Sequence, residues 1–183
     1  MEKLILASAS PRRREIFNMM GLDFEVIASN SEPETNTKID IETALLEVAR
    51  AKAFDIYSKN EGRVVVGADT VVYKDGVILE KPKDKDDAFS MLKMLSGDKH
   101  SVYTAVYVFS KDGEKGFVSK SDVEFYELSD SEIENYIKTE EYKDKAGGYA
   151  IQGKAFRFVK AIYGDFYNIV GFPAAEFLRF MNF

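Results

Sequence analysis

Apolar residues in this chain fall into compact runs separated by longer stretches with helical spacing. Lys3-Leu4-Ile5-Leu6-Ala7 and Val64-Val65-Val66 have the continuous apolar character of buried strands. Ile16, Phe17 and Met20 recur at helical spacing behind Ser10-Pro11, a natural helix start in which serine caps and proline occupies the first turn. Leu45, Val48, Ala49, Ala53 and Ile56 form a second helical stripe, with Lys52 at its edge. Ala174, Phe177, Leu178 and Met181 form a third, expected to close the core. Read this way, strands are expected over 3–7, 23–28, 64–73, 77–79, 101–109, 117–126, 155–162 and 167–170. Helices are expected over 11–20, 41–58, 84–95, 129–138 and 173–181.

Strands alternating with helices indicate a layered α/β domain. Lys111-Asp112-Gly113-Glu114 lies between two long alternating runs and carries the Asp-Gly hairpin signal, so the sheet is expected to be mixed. The chain shows no repeat, low-complexity tract or flexible linker, and residues 1–183 read as a single domain.

Composition narrows the chemistry. The net charge of −6 argues against broad nucleic-acid binding, while a compact basic pocket for one small polyanion stays allowed. The absence of cysteine removes disulfides, thiol catalysis and thiolate metal sites, and the single histidine, His100, removes any multi-histidine metal site within one chain. No stretch is apolar enough to span a bilayer, and the first twenty residues lack a secretory pattern. A cytoplasmic location without membrane attachment is expected.

Against this acidic background, Ser8-Ala9-Ser10-Pro11-Arg12-Arg13-Arg14 is a local cationic cluster at a helix start. Free backbone N–H groups, two hydroxyls and three guanidinium groups suit an anion, phosphate above all. Arg14 gains no role and reads as solvated. Asp69 follows Val64-Val65-Val66-Gly67-Ala68 at the exit of a buried strand, where Gly67 and Ala68 thin the chain and permit close approach of a ligand or another backbone. Asp69 reads either as a turn carboxylate or as a functional one. Glu32, in a polar loop, could join it in holding a hard divalent cation. Lys52 and Lys81 read as surface lysines or as phosphate ligands. Gln152, in the glycine-containing stretch from Lys143 to Gly153, carries an amide able to read a base edge. His100 reads as structural.

These residues, in this order, resemble the Maf (septum-formation-inhibitor-like) nucleoside triphosphate pyrophosphatases nearly end to end. The resemblance rests on Leu6-Ala7-Ser8-Ala9-Ser10-Pro11-Arg12-Arg13, the loop with Glu32, Ala49-Arg50-Ala51-Lys52-Ala53 and Gly67-Ala68-Asp69-Thr70-Val71. It continues through Lys81-Pro82, Leu95-Ser96-Gly97, His100-Ser101-Val102, Thr104-Ala105-Val106, Asp144-Lys145-Ala146-Gly147, Ile151-Gln152-Gly153 and Val170-Gly171-Phe172-Pro173. It implies a Maf/ITPase-like α/β fold, with an extended mixed sheet flanked by helices and two lobes around a central cleft. It implies hydrolysis of a nucleoside triphosphate to the monophosphate and pyrophosphate with magnesium, manganese or cobalt. Asp69 is then the catalytic carboxylate and, with Glu32, a metal ligand. Ser8, Arg12, Arg13, Lys52 and Lys81 would line the phosphates.

Arg12, Thr70 and Gln152 match the branch acting on dTTP and UTP, with modified pyrimidine nucleotides also admitted; the branch acting on 7-methyl-GTP is similar to Trp, Gln and Glu there. Glu80 departs from the glycine common before Lys-Pro, and strand alternation is expected to turn it away from Lys81. A nucleotide-binding regulator of cell division without significant hydrolysis is the alternative. A homodimer is compatible with the sequence.

Overall fold

A computed structural model of the chain describes residues 3–31 and 33–183. The first compact run is strand β1 (Leu4–Leu6), followed by α1 (Pro11–Met19), β2 (Phe24–Val26) and α2 (Ile41–Tyr57). Strands β3 (Val65–Lys74) and β4 (Val77–Leu79) precede α3 (Lys85–Leu95). The hairpin strands are β5 (Lys99–Ser110) and β6 (Gly113–Phe125), with the turn at the Asp-Gly signal. Next come α4 (Asp130–Ile137), β7 (Val159–Tyr163), α5 (Phe166–Val170) and α6 (Ala174–Phe180). The sheet has the order β2-β1-β3-β5-β6-β7, with β4 on β3. It is mixed as expected: β1 runs parallel to β2 and β3, whereas β3–β4 and β6–β7 are antiparallel. The α/β class read from the sequence therefore holds.

Two expected strands take other forms. Residues 154–158 form a 3-10 turn, with β7 beginning only at Val159. Ala155 and Phe158 are both buried, and a spacing of three brings side chains to one face of a 3-10 helix. Residues 166–170 are the short helix α5. The Asp165 carboxylate accepts the Tyr167 N–H at 2.8 Å, a local cap that turns a short apolar run into a helix.

The chain packs as two compact units. The first comprises Met1–Thr70, Thr104–Ser119 and Gly171–Phe183; the second comprises Val71–Tyr103 and Lys120–Val170. In the first unit, Ile5, Ala7, Ala53, Ile56, Val65 and Phe109 form one core cluster. Gly67 decides how closely α2 lies on β3. A Cβ there would stand 2.6 Å from the Ala49 carbonyl oxygen and 2.7 Å from the Ala53 nitrogen, so helix backbone rests directly on strand backbone. Beneath α1, Phe17 meets Phe24 and Phe172 with ring centroids 5.2 and 4.8 Å apart. Phe172 in turn meets Phe177 of α6. These rings fix α1 against the segment after Gly171, and the third apolar stripe does close the core.

In the second unit His100 is buried at 3% exposure, edge-on to Phe125 and Tyr149, with its Nε2 2.7 Å from the Tyr149 hydroxyl. It is a packing residue. Burial, reinforced by the charge on Lys74 and opposed by Asp122 and Asp98, lowers its pKa from 6.5 to about 4. The folded protein thus holds a neutral ring where the unfolded chain would bind a proton. Between these two pKa values the unfolded chain carries more protons, so stability falls as pH drops through that window. The contribution lost from this one group is about 3 kcal/mol. Urea unfolding from pH 7 to pH 4 should show this loss, and His100→Gln should flatten the slope. An unaltered slope in the variant would exclude His100 as its source.

Candidate active site

The helix start forms as its residues dictate. Ser10 caps α1, its hydroxyl accepting the Arg13 backbone N–H, and Pro11 occupies the first helical position. Just before the helix, the Ser8 hydroxyl oxygen accepts the Ser10 N–H at 3.3 Å and an Arg13 Nη1–H at 3.1 Å. A serine oxygen has two lone pairs and one proton. Both acceptor positions are filled, so Ser8, only 8% exposed, offers an outside group its O–H alone.

Arg13 is tied by three hydrogen bonds. Its Nε–H donates to the Gly171 carbonyl at 2.9 Å, Nη1–H to Ser8, and Nη2–H to the Thr70 hydroxyl at 3.1 Å. Gly171 has φ +127°, a backbone geometry that side-chain-bearing residues rarely adopt. Burial lowers the Arg13 pKa, Arg12 adds to that effect, and the charge on Asp69 opposes it. A guanidinium has five N–H donors. The three bonds made here hold the fork in place and leave two for an anion. Arg12 is half-buried on the same helix, and Arg14 is exposed.

The valine run delivers Asp69 and Thr70 side by side, and strand alternation separates their partners. Gly67 and Asp69 face α2, where the Lys52 ammonium meets the Asp69 carboxylate at 2.6 Å. Both side chains are largely enclosed, at 21% and 17% exposure. Lys52 stands between Ala49 and Ala53, the two residues that rest against Gly67, so the backbone approach at Gly67 sets the ion-pair distance. Thr70 takes its own set of partners: its hydroxyl meets the Arg13 fork, the Thr104 hydroxyl at 2.9 Å and the Gly171 carbonyl at 3.3 Å.

Ser8, Arg13 and Thr70 therefore share one network, and Lys52 and Asp69 form one pair, all within the first unit. Glu32 lies outside the described residues. The chain up to Ser31 is anchored by Asp55, three residues beyond Lys52 on α2. The Asp55 carboxylate accepts from the Ser29 hydroxyl and the Asn30 N–H, both at 2.9 Å, and from Lys59 at 2.7 Å. The Lys59, Ser29 and Asn30 bonds hold its pKa down to about 2.

Lys81 and Gln152 belong to the second unit, and both are exposed. β4 ends at Leu79, so Glu80 and Lys81 lie beyond it and strand alternation does not orient them. The Glu80 carbonyl instead accepts the Gly147 N–H at 3.0 Å, which ties the glycine-rich turn to the Lys81 segment. Sequence reading named Thr104 and Gly171 only within family motifs and did not name Asp55, so it placed none of the three in these assemblies. Thr104 carried a further signal, as a hydroxyl within the apolar stretch Val102–Val106.

On this scaffold, helix-start donors, a fixed guanidinium and a carboxylate–ammonium pair give an α/β protein the groups a polyanion requires. The chain belongs to the Maf-like protein family, whose model matches residues 3–182. It is 43% identical over 178 residues to a dTTP/UTP pyrophosphatase of Bacillus velezensis, covering 97% of this chain and 94% of that one. It is 43% identical over 182 residues to a dTTP/UTP pyrophosphatase of Bacillus pumilus, covering 100% and 96%. Among solved structures it is similar to the Ham1 protein of Staphylococcus aureus at 14% identity and a TM-score of 0.47, over 70% of this chain and 73% of that one. Among the described residues no helix is long and apolar enough to cross a membrane.

The packing at Gly67 makes a direct prediction. Gly67→Ala forces the new methyl into backbone atoms of α2 and should destabilise the protein by about 1–3 kcal/mol in urea unfolding. It should also lower activity by displacing Lys52 from Asp69. Unchanged stability would show that α2 can yield at this contact.

Proposed function

We propose that the protein is a nucleoside triphosphate pyrophosphatase that hydrolyses dTTP and UTP to the monophosphate and pyrophosphate, acting as one catalytic domain in the cytoplasm. The observation that carries this reading is 43% identity across essentially the whole chain to relatives that bear this enzyme name. The same relatives disfavour a non-hydrolysing regulator. The geometry supports the chemistry: Ser8 and Arg13 keep donors for phosphate oxygens, and a largely enclosed carboxylate stands against a lysine in the same unit.

In the reaction, a water oxygen forms a bond to the α-phosphorus while the bond from that phosphorus to the α–β bridging oxygen breaks. The electron pair leaves with pyrophosphate. Asp69 accepts the water's proton as general base. Lys52 holds the Asp69 carboxylate in place through the 2.6 Å contact. Arg13, Ser8 and the N-terminus of α1 stabilise the negative charge that grows on the phosphates. Lys81 is assigned to the phosphates, and Arg12, Thr70 and Gln152 to nucleotide choice.

A divalent cation belongs to this reading. Among the described residues no group of three or more histidine or acidic side chains is placed to hold a metal ion by itself, and Asp69 supplies one carboxylate. Magnesium takes one or two carboxylates together with phosphate oxygens and waters, so Asp69 fits as one of them, and Glu32 is the second ligand this reading assigns. When bound, the cation supplies charge neutralisation and a more acidic water.

Chromatography of the products from a panel of triphosphates, with magnesium, manganese or cobalt, tests the reading. dTTP and UTP should yield monophosphate and pyrophosphate in equal amounts. Release of orthophosphate, or cleavage of 7-methyl-GTP in their place, would overturn it. Asp69→Asn should lower kcat by about 10²-fold or more with nucleotide binding retained. Turnover like that of the unaltered protein would remove Asp69 from the chemistry.

A further inference from the structure

Thr104 lies in the middle of β5, where residues 102–106 are all buried, and it is itself 0% exposed. Its neighbours in that stretch are Val102, Tyr103, Ala105 and Val106. A valine would have nearly the same shape there without the cost of burying a hydroxyl. The hydroxyl is therefore the informative atom, and it lies 2.9 Å from the hydroxyl of Thr70.

Thr70 Oγ1 has three neighbours: Arg13 Nη2 at 3.1 Å, Thr104 Oγ1 at 2.9 Å and the Gly171 carbonyl oxygen at 3.3 Å. The guanidinium can only donate and the carbonyl can only accept. The Thr70–Thr104 contact can run either way, since each hydroxyl can donate or accept. Thr104 and Gly171 together hold Thr70 Oγ1, and through it the hydroxyl pair reaches the Arg13 fork at Nη2. The same atoms join three separate stretches of the first unit. Thr70 ends Met1–Thr70, Thr104 begins Thr104–Ser119, and Gly171 begins Gly171–Phe183.

We propose that Thr104 is a positioning residue for this site: its hydroxyl, acting through Thr70, fixes the Arg13 guanidinium in the orientation that meets the substrate phosphates. The inference rests on the pyrophosphatase reading for its effect on turnover, but not for its effect on Arg13. Removing the Thr104 hydroxyl deletes one of the three contacts around Thr70 Oγ1, lets that hydroxyl rotate and loosens its hold on Nη2. Orientation of a charged group matters most in the transition state, so the loss should fall on kcat more than on KM.

The test uses Thr104→Val, Thr104→Ser and Arg13→Lys in the full-length chain. Thr104→Val should lower kcat for dTTP by about tenfold with KM nearly unchanged, and Thr104→Ser, which restores the hydroxyl, should recover most of it. In an Arg13→Lys background, Thr104→Val should have little further effect, because the fork it positions is gone. Independently of turnover, the Arg13 Nε–H NMR signal, assigned by its disappearance in Arg13→Lys, should exchange with solvent faster in Thr104→Val than in the unaltered protein. A purely structural cross-strand threonine pair would lower stability while leaving that signal and the kcat–KM split unmoved. Unchanged Nε–H exchange, or effects of Thr104→Val and Arg13→Lys that multiply, would overturn the proposal. If Thr104→Val fails to fold, Thr70→Val removes the same link and must accelerate the same exchange. If the unaltered protein hydrolyses no nucleotide while the exchange still responds, the functional reading fails and the positioning of Arg13 stands.

Discussion

The contact between the α2 backbone and β3 at Gly67 governs the chemical side of the first unit. Without a side chain at that position, Ala49 and Ala53 lie on the strand itself. Lys52, carried between them, then reaches the carboxylate two residues along β3. Gly67 and Asp69 share a strand face because the strand period is two, and Ala49, Lys52 and Ala53 share a helix face because helical neighbours recur every three or four residues. A lysine–carboxylate pair at 2.6 Å is thus the product of two periodicities brought into register by one missing methyl group.

Arg13 performs the corresponding task for the helix start. Its position is set from below by the aromatic contacts of Phe17 with Phe24 and Phe172, and from the side by hydrogen bonds to Gly171, Ser8 and Thr70. Burial of the guanidinium is offset by these bonds and by the charge on Asp69. In a chain of net charge −6, such local construction is how a cationic site persists without a basic surface. Arg50 shows the contrasting use of a nearby cation. It sits two residues before Lys52 yet grips Glu114 through two 3.0 Å hydrogen bonds, a tether from α2 to the hairpin.

Much of this was legible in the sequence, because periodicity and caps are local signals. The helix over Pro11–Met19, its serine cap, the buried valine strand and the Asp-Gly turn all follow from neighbouring residues. The two failures, at 155–162 and 167–170, are short apolar stretches in which a spacing of three or a single capping aspartate outweighs composition. Ser8, Arg13, Lys52, Asp69 and Thr70 were all named as site residues from the sequence, but their pairing was not. That Lys52 answers to Asp69, and Thr70 to Arg13, depends on contacts between residues 17 and 57 positions apart. Asp55 and Gly171 matter only through what they hold, Ser29–Asn30 in one case and a carbonyl presented to Arg13 in the other, and neither function leaves a mark on local sequence.

The filled oxygen of Ser8 has a consequence of its own. With both lone pairs engaged, this hydroxyl has a fixed polarity: it can give a hydrogen bond and cannot receive one. Arg13 has the same polarity by its chemistry. A ligand arriving with hydroxyl or ammonium groups finds no acceptor in either residue, whereas one arriving with bare oxygens is met by both. As the phosphate site proposed above, the helix start would select for lone pairs as well as for charge, and would treat a protonated phosphate oxygen as a different object from an ionised one.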